Sequence, residues 1–290
     1  NPTVDFIQLS NNLLIMATSN PDTNGRRGPS VLAKAESLPR VIKNSSLAKV
    51  DKLTSDVYGK DHPPMDWADV SLLIPHEAIR RQMSKMVQSI DAMPDSPMEN
   101  ESWKVTLFAE WYIEYFFFSI KEHHDSEEEI YFPWIKSKAV YPEKEFSNSH
   151  DELFTELQDM KVACQSICKK GGTECSEEIS LLKKKMPAFE NELRAHLKEE
   201  EEMIPGLLRD NFSAEEEGAI VDKILKAGGL TNTKKFSTAV FLALKEWASD
   251  EYYEQICSSM PKPIQYLVFS HYIPHFEKVA VVMRDAPTMK

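Results

Sequence analysis

HDSEEEIYFP (residues 124–133) returns later in the chain as HLKEEEEMIP (residues 196–205). Each copy carries a histidine, a run of glutamates that includes the fourth position after it, an apolar pair, and a proline at the ninth position. Outward from both copies, apolar residues recur at steps of three and four, the spacing that lays side chains along one face of a helix. Four such segments follow one another, over about residues 67–91, 101–138, 142–169 and 176–210. Breaker-rich loops part them: DAMPDSPMEN (91–100), SKAVYPEKEF (137–146) and CKKGGTECSE (168–177). No segment alternates with period two, so the fold class is all-α. Four long helices on short loops predict an antiparallel four-helix bundle, with Pro133 and Pro205 expected to break the second and fourth helices near their ends.

Polar residues interrupt those apolar stripes. His76, His124, His150 and His196 each fall on the stripe of a different helix, and Glu128 and Glu200 follow His124 and His196 by one turn. One histidine on an apolar face reads as a hydrogen-bonded core residue. Four of them, one per helix and with two glutamates in register, read differently. A buried carboxylate is costly unless it is paired or bound to a metal. Residues four apart on a helix are neighbours, so facing His-x-x-x-Glu pairs, completed by single histidines from the other helices, can enclose two cations. Mixed imidazole and carboxylate donors suit iron or manganese better than structural zinc.

The order His76, His124-x-x-x-Glu128, His150, His196-x-x-x-Glu200 resembles the ligand order of the hemerythrin-like (HHE) cation-binding family, and PHEAIRRQM (75–83) is similar to that family's first-helix motif. The resemblance covers about residues 67–210. It implies a non-haem di-iron centre, with manganese as the other metal, bridged by Glu128, Glu200 and a solvent-derived oxo or hydroxo group. Oxygen-carrying hemerythrins have a second histidine one turn after the third-helix ligand, where this chain has Phe154. The expectation is an open position on one iron, walled by Phe154 or filled by Asp125 or water, that reacts with O2 or peroxide. Tyr131, three residues after Glu128, is a candidate to hydrogen-bond a ligand, with a core tyrosine as the other reading. His123 points about 100° from His124 on a helix and is expected at the surface. His62, His271 and His275 carry no site.

Three functional classes stay open on this reading. The first is an O2-activating oxidase or oxygenase, with a small-molecule substrate. The second is a reversible O2 carrier or an iron and oxygen sensor. The third is an interaction protein whose metal is structural. The chain has 290 residues, a net charge of −12 and a pI near 5.2, which argues against nucleic acid and anionic membrane surfaces as partners. No run of 18 apolar residues exists. Four cysteines, Cys164, Cys168, Cys175 and Cys257, are too few for a disulfide scaffold in a chain this long and favour a soluble protein in a reducing, intracellular compartment. The chain opens at Asn1 without an initiator Met, as expected where a tag or targeting segment has been cut away. Residues 1–65 read as an irregular lead-in with one short helix near 30–41. Residues 66–212 read as the bundle, and 213–290 as a helical extension packed on it, opening with a capping box at Ser213 and Glu216.

Overall fold

The computed structural model describes residues 66–141, 143–260 and 262–289. The lead-in, its short helix and His62 lie outside the described residues. Among the described residues the secondary structure is helical throughout, with no strand and no helix long and apolar enough to cross a membrane. The first bundle helix, α1 (Trp67–Ala92), starts at a capping box. Asp66 accepts from the Ala68 amide at 3.0 Å, and the Asp66 amide donates to Asp69 at 2.9 Å. Arg209, from the far end of the fourth bundle helix, clamps both aspartates.

The second bundle helix is one continuous rod of five pieces: α2 (Ser102–Trp111), a π turn (Tyr112–Phe117), α3 (Phe118–Ser126), a second π turn (Glu127–Tyr131) and α4 (Phe132–Lys136). A π turn bonds i to i+5 and so takes up more residues than an α turn. Its inward side chains include Tyr112, Phe116, Ile120, His124 with its neighbour His123, Glu127 and Tyr131, at steps of four with one step of three between His124 and Glu127. Pro133 does not end the rod; it follows directly on the second π turn, within the first turn of α4.

The third and fourth bundle helices are α5 (Glu143–Lys170) and α6 (Ser176–Asn211). Their connection turns on Gly171 and Gly172, both at positive φ, and the Gly172 amide caps the Ile167 carbonyl at 3.1 Å. A Cβ at Gly172 would stand 2.1 Å from the Ser102 carbonyl oxygen, so only glycine fits there. Against expectation, α6 continues through Pro205. A mid-helix proline costs about 3 kcal/mol, and full burial of Ile204 and Leu208 on either side of it offsets that.

Helix α1 packs along α6, α6 along α5, and α5 along α2 and the first π turn, while α1 and the second rod meet only briefly. The apolar core fills the interior, with Met83, Met86, Phe108, Trp111, Leu157, Met160, Leu182 and Phe189 all buried. Tyr112 donates to the Leu157 carbonyl at 2.9 Å and ties the rod to α5.

Beyond the bundle, α7 (Ala214–Asn232) begins at the expected capping box: the Glu216 amide donates to the Ser213 hydroxyl at 3.3 Å, and the Ser213 amide to the Glu216 carboxylate at 3.1 Å. It kinks at Gly229, φ +63°. A π turn (Thr233–Ser237) leads into α8 (Thr238–Trp247) and α9 (Asp250–Ser259). A last rod carries α10 (Lys262–Leu267), α11 (Ile273–Phe276) and α12 (Val282–Asp285), joined by π turns. Helix α7 touches α1, α3 and the second π turn; α8 lies on α1; α12 lies on both α1 and α2. The extension thus fills the seam where α1 and the second rod stand apart.

Candidate metal centre

Histidine and carboxylate atoms from all four bundle helices converge in the core. Two groups have ligand atoms within 4.8 Å of one another: His124, His150 and His196 in one, and His76, His123, Glu127 and Glu200 in the other. All seven residues are buried. The Nε2 atoms of His150 and His196 stand 2.8 Å apart, and the His124 ring stacks on His150 with centroids 4.3 Å apart.

The two carboxylates span the groups. Glu200 turns Oε1 to His196 Nε2 at 3.3 Å and His150 Nε2 at 3.6 Å, and Oε2 to His76 Nε2 at 3.5 Å. Glu127 turns Oε1 to His123 Nε2 at 3.4 Å and His76 Nε2 at 3.9 Å, and Oε2 to His150 Nε2 at 3.7 Å.

Other carboxylates hold two of the rings from behind. Glu201 Oε1 meets His76 Nδ1 at 2.8 Å, its Oε2 accepts from Arg80 at 2.8 Å, and Arg80 also donates to Glu77 at 3.0 Å. Glu128 Oε1 meets His150 Nδ1 at 2.8 Å. A carboxylate behind an imidazole fixes its orientation and leaves Nε2 facing inward, the usual support of a metal-ligating histidine.

Protonation follows from these placements. Burial opposes a charge on His76, but the carboxylates of Glu127, Glu201 and Glu200 raise it to about 9. His150 is likewise lifted to about 9, against burial, by Glu200, Glu127 and Glu128. Burial drives His123 down to about 4, and drives His124, crowded by His150 and the other imidazoles, well below the ordinary range. Burial also opposes ionisation of Glu200, yet His196, His150 and His76 hold its carboxyl well below the usual range.

The donor set fits a metal. Nε2 of His76, His123 and His124 and all four carboxylate oxygens of Glu127 and Glu200 are buried without a hydrogen-bond partner. Leaving such a group unsatisfied costs roughly 1–3 kcal/mol, more for charged groups, and cations held among these seven atoms could satisfy them. The oxygen and imidazole chemistry suits iron or manganese.

Among the residues singled out from sequence, the structure brings His76, His124, His150, His196 and Glu200 together. Glu128 is not brought into either group; its side chain is 35% exposed and lies behind His150. Glu127 stands in the inward position instead. His123, expected at the surface, is buried in the site. Both differences lie on the second rod, where His123 and Glu127, one helical turn apart, face the centre together beside His124. The signal available was the doublet His123-His124, with Glu127 four residues after the first. Asp125 points outward and pairs with Lys121. Phe154 does not wall the centre: it is 40% exposed, with its ring 6.2 Å from Phe117. The third imidazole beside His150 and His196 comes from His124, not from position 154. Tyr131 is a core tyrosine whose hydroxyl lies 3.4 Å from Ser71, with its phenol pushed far up by burial and by Glu217. His271 and His275 are exposed, and the four cysteines are free thiols.

A charged cleft of about 670 Å³ opens between α1 and α6, lined by Arg80, Glu201, Arg194, Lys198 and Arg209 among others. Glu201 and the His76 ring separate it from the centre.

Residues 72–208 match the family model described as the hemerythrin HHE cation binding domain. The match covers the metal-site residues and the bundle, somewhat less than half of the 290-residue chain. No curated protein and no solved structure matches the chain.

Proposed function

We propose that this hemerythrin HHE domain holds two iron ions and uses them to react with O2 or peroxide, as an oxidase or oxygenase. One observation carries the reading. Glu127 and Glu200 each offer one oxygen to the His76 and His123 side and the other to the His150 side. Two carboxylates so placed are suited to bridge two cations. Bound iron would supply the redox chemistry, and manganese fits the same donors.

The protein's own residues make the two sides unequal. His124, His150 and His196 give one side three imidazoles, whereas His76 and His123 give the other two. With both carboxylates shared, the His76 and His123 side has one donor fewer and is the side open to an exogenous ligand. Glu201 and Glu128 orient His76 and His150. An open position would thus arise from the smaller number of imidazoles on this side and not from Phe154, which is 40% exposed.

Metal analysis of iron-supplemented protein should return two ions per chain; one or none overturns the reading. Stopped-flow mixing of the reduced protein with O2 should give the oxidised state without release of O2. An adduct that returns O2 intact over repeated cycles would place the protein with the reversible carriers and sensors, the second reading. Turnover against a panel of metabolites would identify a substrate.

A further inference from the structure

We infer that the segment beyond the family domain covers one side of the metal centre, and that Phe236 governs which small molecules reach its His76 and His123 side. The inference rests on the proposed reading of bound metal. Helix α1 carries His76 and the second rod carries His123 and Glu127, so the seam between them leads straight to the side with fewer donors. The bundle leaves that seam unclosed: α1 packs on α6, not along the rod. The extension covers it. Helix α7 touches α1, α3 and the second π turn, and the π turn Thr233–Ser237 sits on α3.

That turn brings Phe236 to His123, ring centroids 6.1 Å apart. The Phe236 ring is half-buried and packed against the main core. The same histidine meets the His76 ring edge-on at 5.1 Å. Phe236 therefore packs beside this half of the centre, with part of its ring reaching solvent.

The turn is also fastened. The Lys235 ammonium donates to the Glu114 carbonyl at 2.7 Å and to its carboxylate at 2.8 Å, and sits 5.0 Å above the Phe118 ring and 5.4 Å from Tyr115. Glu114 belongs to the first π turn of the rod, so one π turn is tied to another with Phe236 next to the knot. A phenyl ring in this place passes diatomic molecules and small linear anions more readily than bulky ones. It admits O2 and hinders direct access by larger reductants.

Two measurements test the idea. In iron-loaded, oxidised protein, azide binding is followed by its charge-transfer absorption. Phe236→Ala should speed azide association several-fold, Phe236→Trp should slow it, and Lys235→Met, which unfastens the turn, should speed it less than Phe236→Ala. In metal-free protein, diethyl pyrocarbonate labelling of His123 should rise in Phe236→Ala and Lys235→Met, with the exposed His271 and His275 labelled equally in all forms. Azide rates and His123 labelling that do not change across the variants, in protein holding two irons, overturn this inference and leave the metal reading intact. Protein that takes up no iron overturns the metal reading, and the inference with it.

Discussion

Glu127 and Glu128 are adjacent, both acidic, and placed for different work. Glu127 is buried with neither oxygen hydrogen-bonded; Glu128 lies behind His150 and is about one-third exposed. Glu127→Ala should abolish binding of one of the two irons and lower the melting temperature of the loaded protein, because a shared donor is lost. Glu128→Ala should keep two irons but weaken affinity by roughly 10–100-fold, the usual range for an outer partner of a ligand. Metal analysis and competition with a chelator would separate the two. If the Glu128 variant loses an ion and the Glu127 variant does not, the roles are reversed. His76, His150, His196 and Glu200 were legible in the sequence because α1, α5 and α6 are plain α-helices in which a 3/4 stripe is a reliable guide to burial. Glu127 and His123 were not, since a stripe drawn through Ile120 and His124 cannot tell 127 from 128 without knowing how many residues each turn takes.

Among the elements, the second rod carries the greatest consequence, because it supplies His123, His124 and Glu127 to the centre. These three share its buried face with Tyr112, Phe116, Ile120 and Tyr131. Inserting one residue after Ser119, in the α segment between the two π turns, should rotate His123, His124 and Glu127 by about 100° relative to the start of the rod. Circular dichroism should show helix content nearly unchanged while iron uptake collapses. Retention of two irons by the insertion variant would show that the facing of this rod does not set the ligands. The four helices themselves were legible to within a residue or two at their ends. Nothing in the apolar pattern announces a π turn, and the runs through Pro133 and Pro205 depend on packing, here the burial of Phe132, Ile204 and Leu208.

At the scale of the whole molecule, metal and fold are coupled, since the bundle buries imidazoles and carboxylates that a cation would satisfy. Chelation should lower the melting temperature; no change would place the site outside the core. The metal-free protein should also respond to pH. His76 and His150 sit near 9 when folded, above the ordinary 6.5. Their stabilising contribution is complete below about 6.5 and lost as pH rises through 9. Metal-free protein should therefore melt lower at pH 9.5 than at pH 7, and the loaded protein, whose rings are ligated, should show a smaller difference. Equal slopes would deny that these rings carry protons in the empty bundle. Translation order bears on metal loading: Glu200, the last of the clustered side chains, leaves the ribosome well before the covering segment 214–289. At about 5–20 residues per second, the newborn bundle spends several seconds with its metal side uncovered. Iron delivered during synthesis would meet an open door that the finished protein has closed, and the order of translation itself would then be a step in maturation.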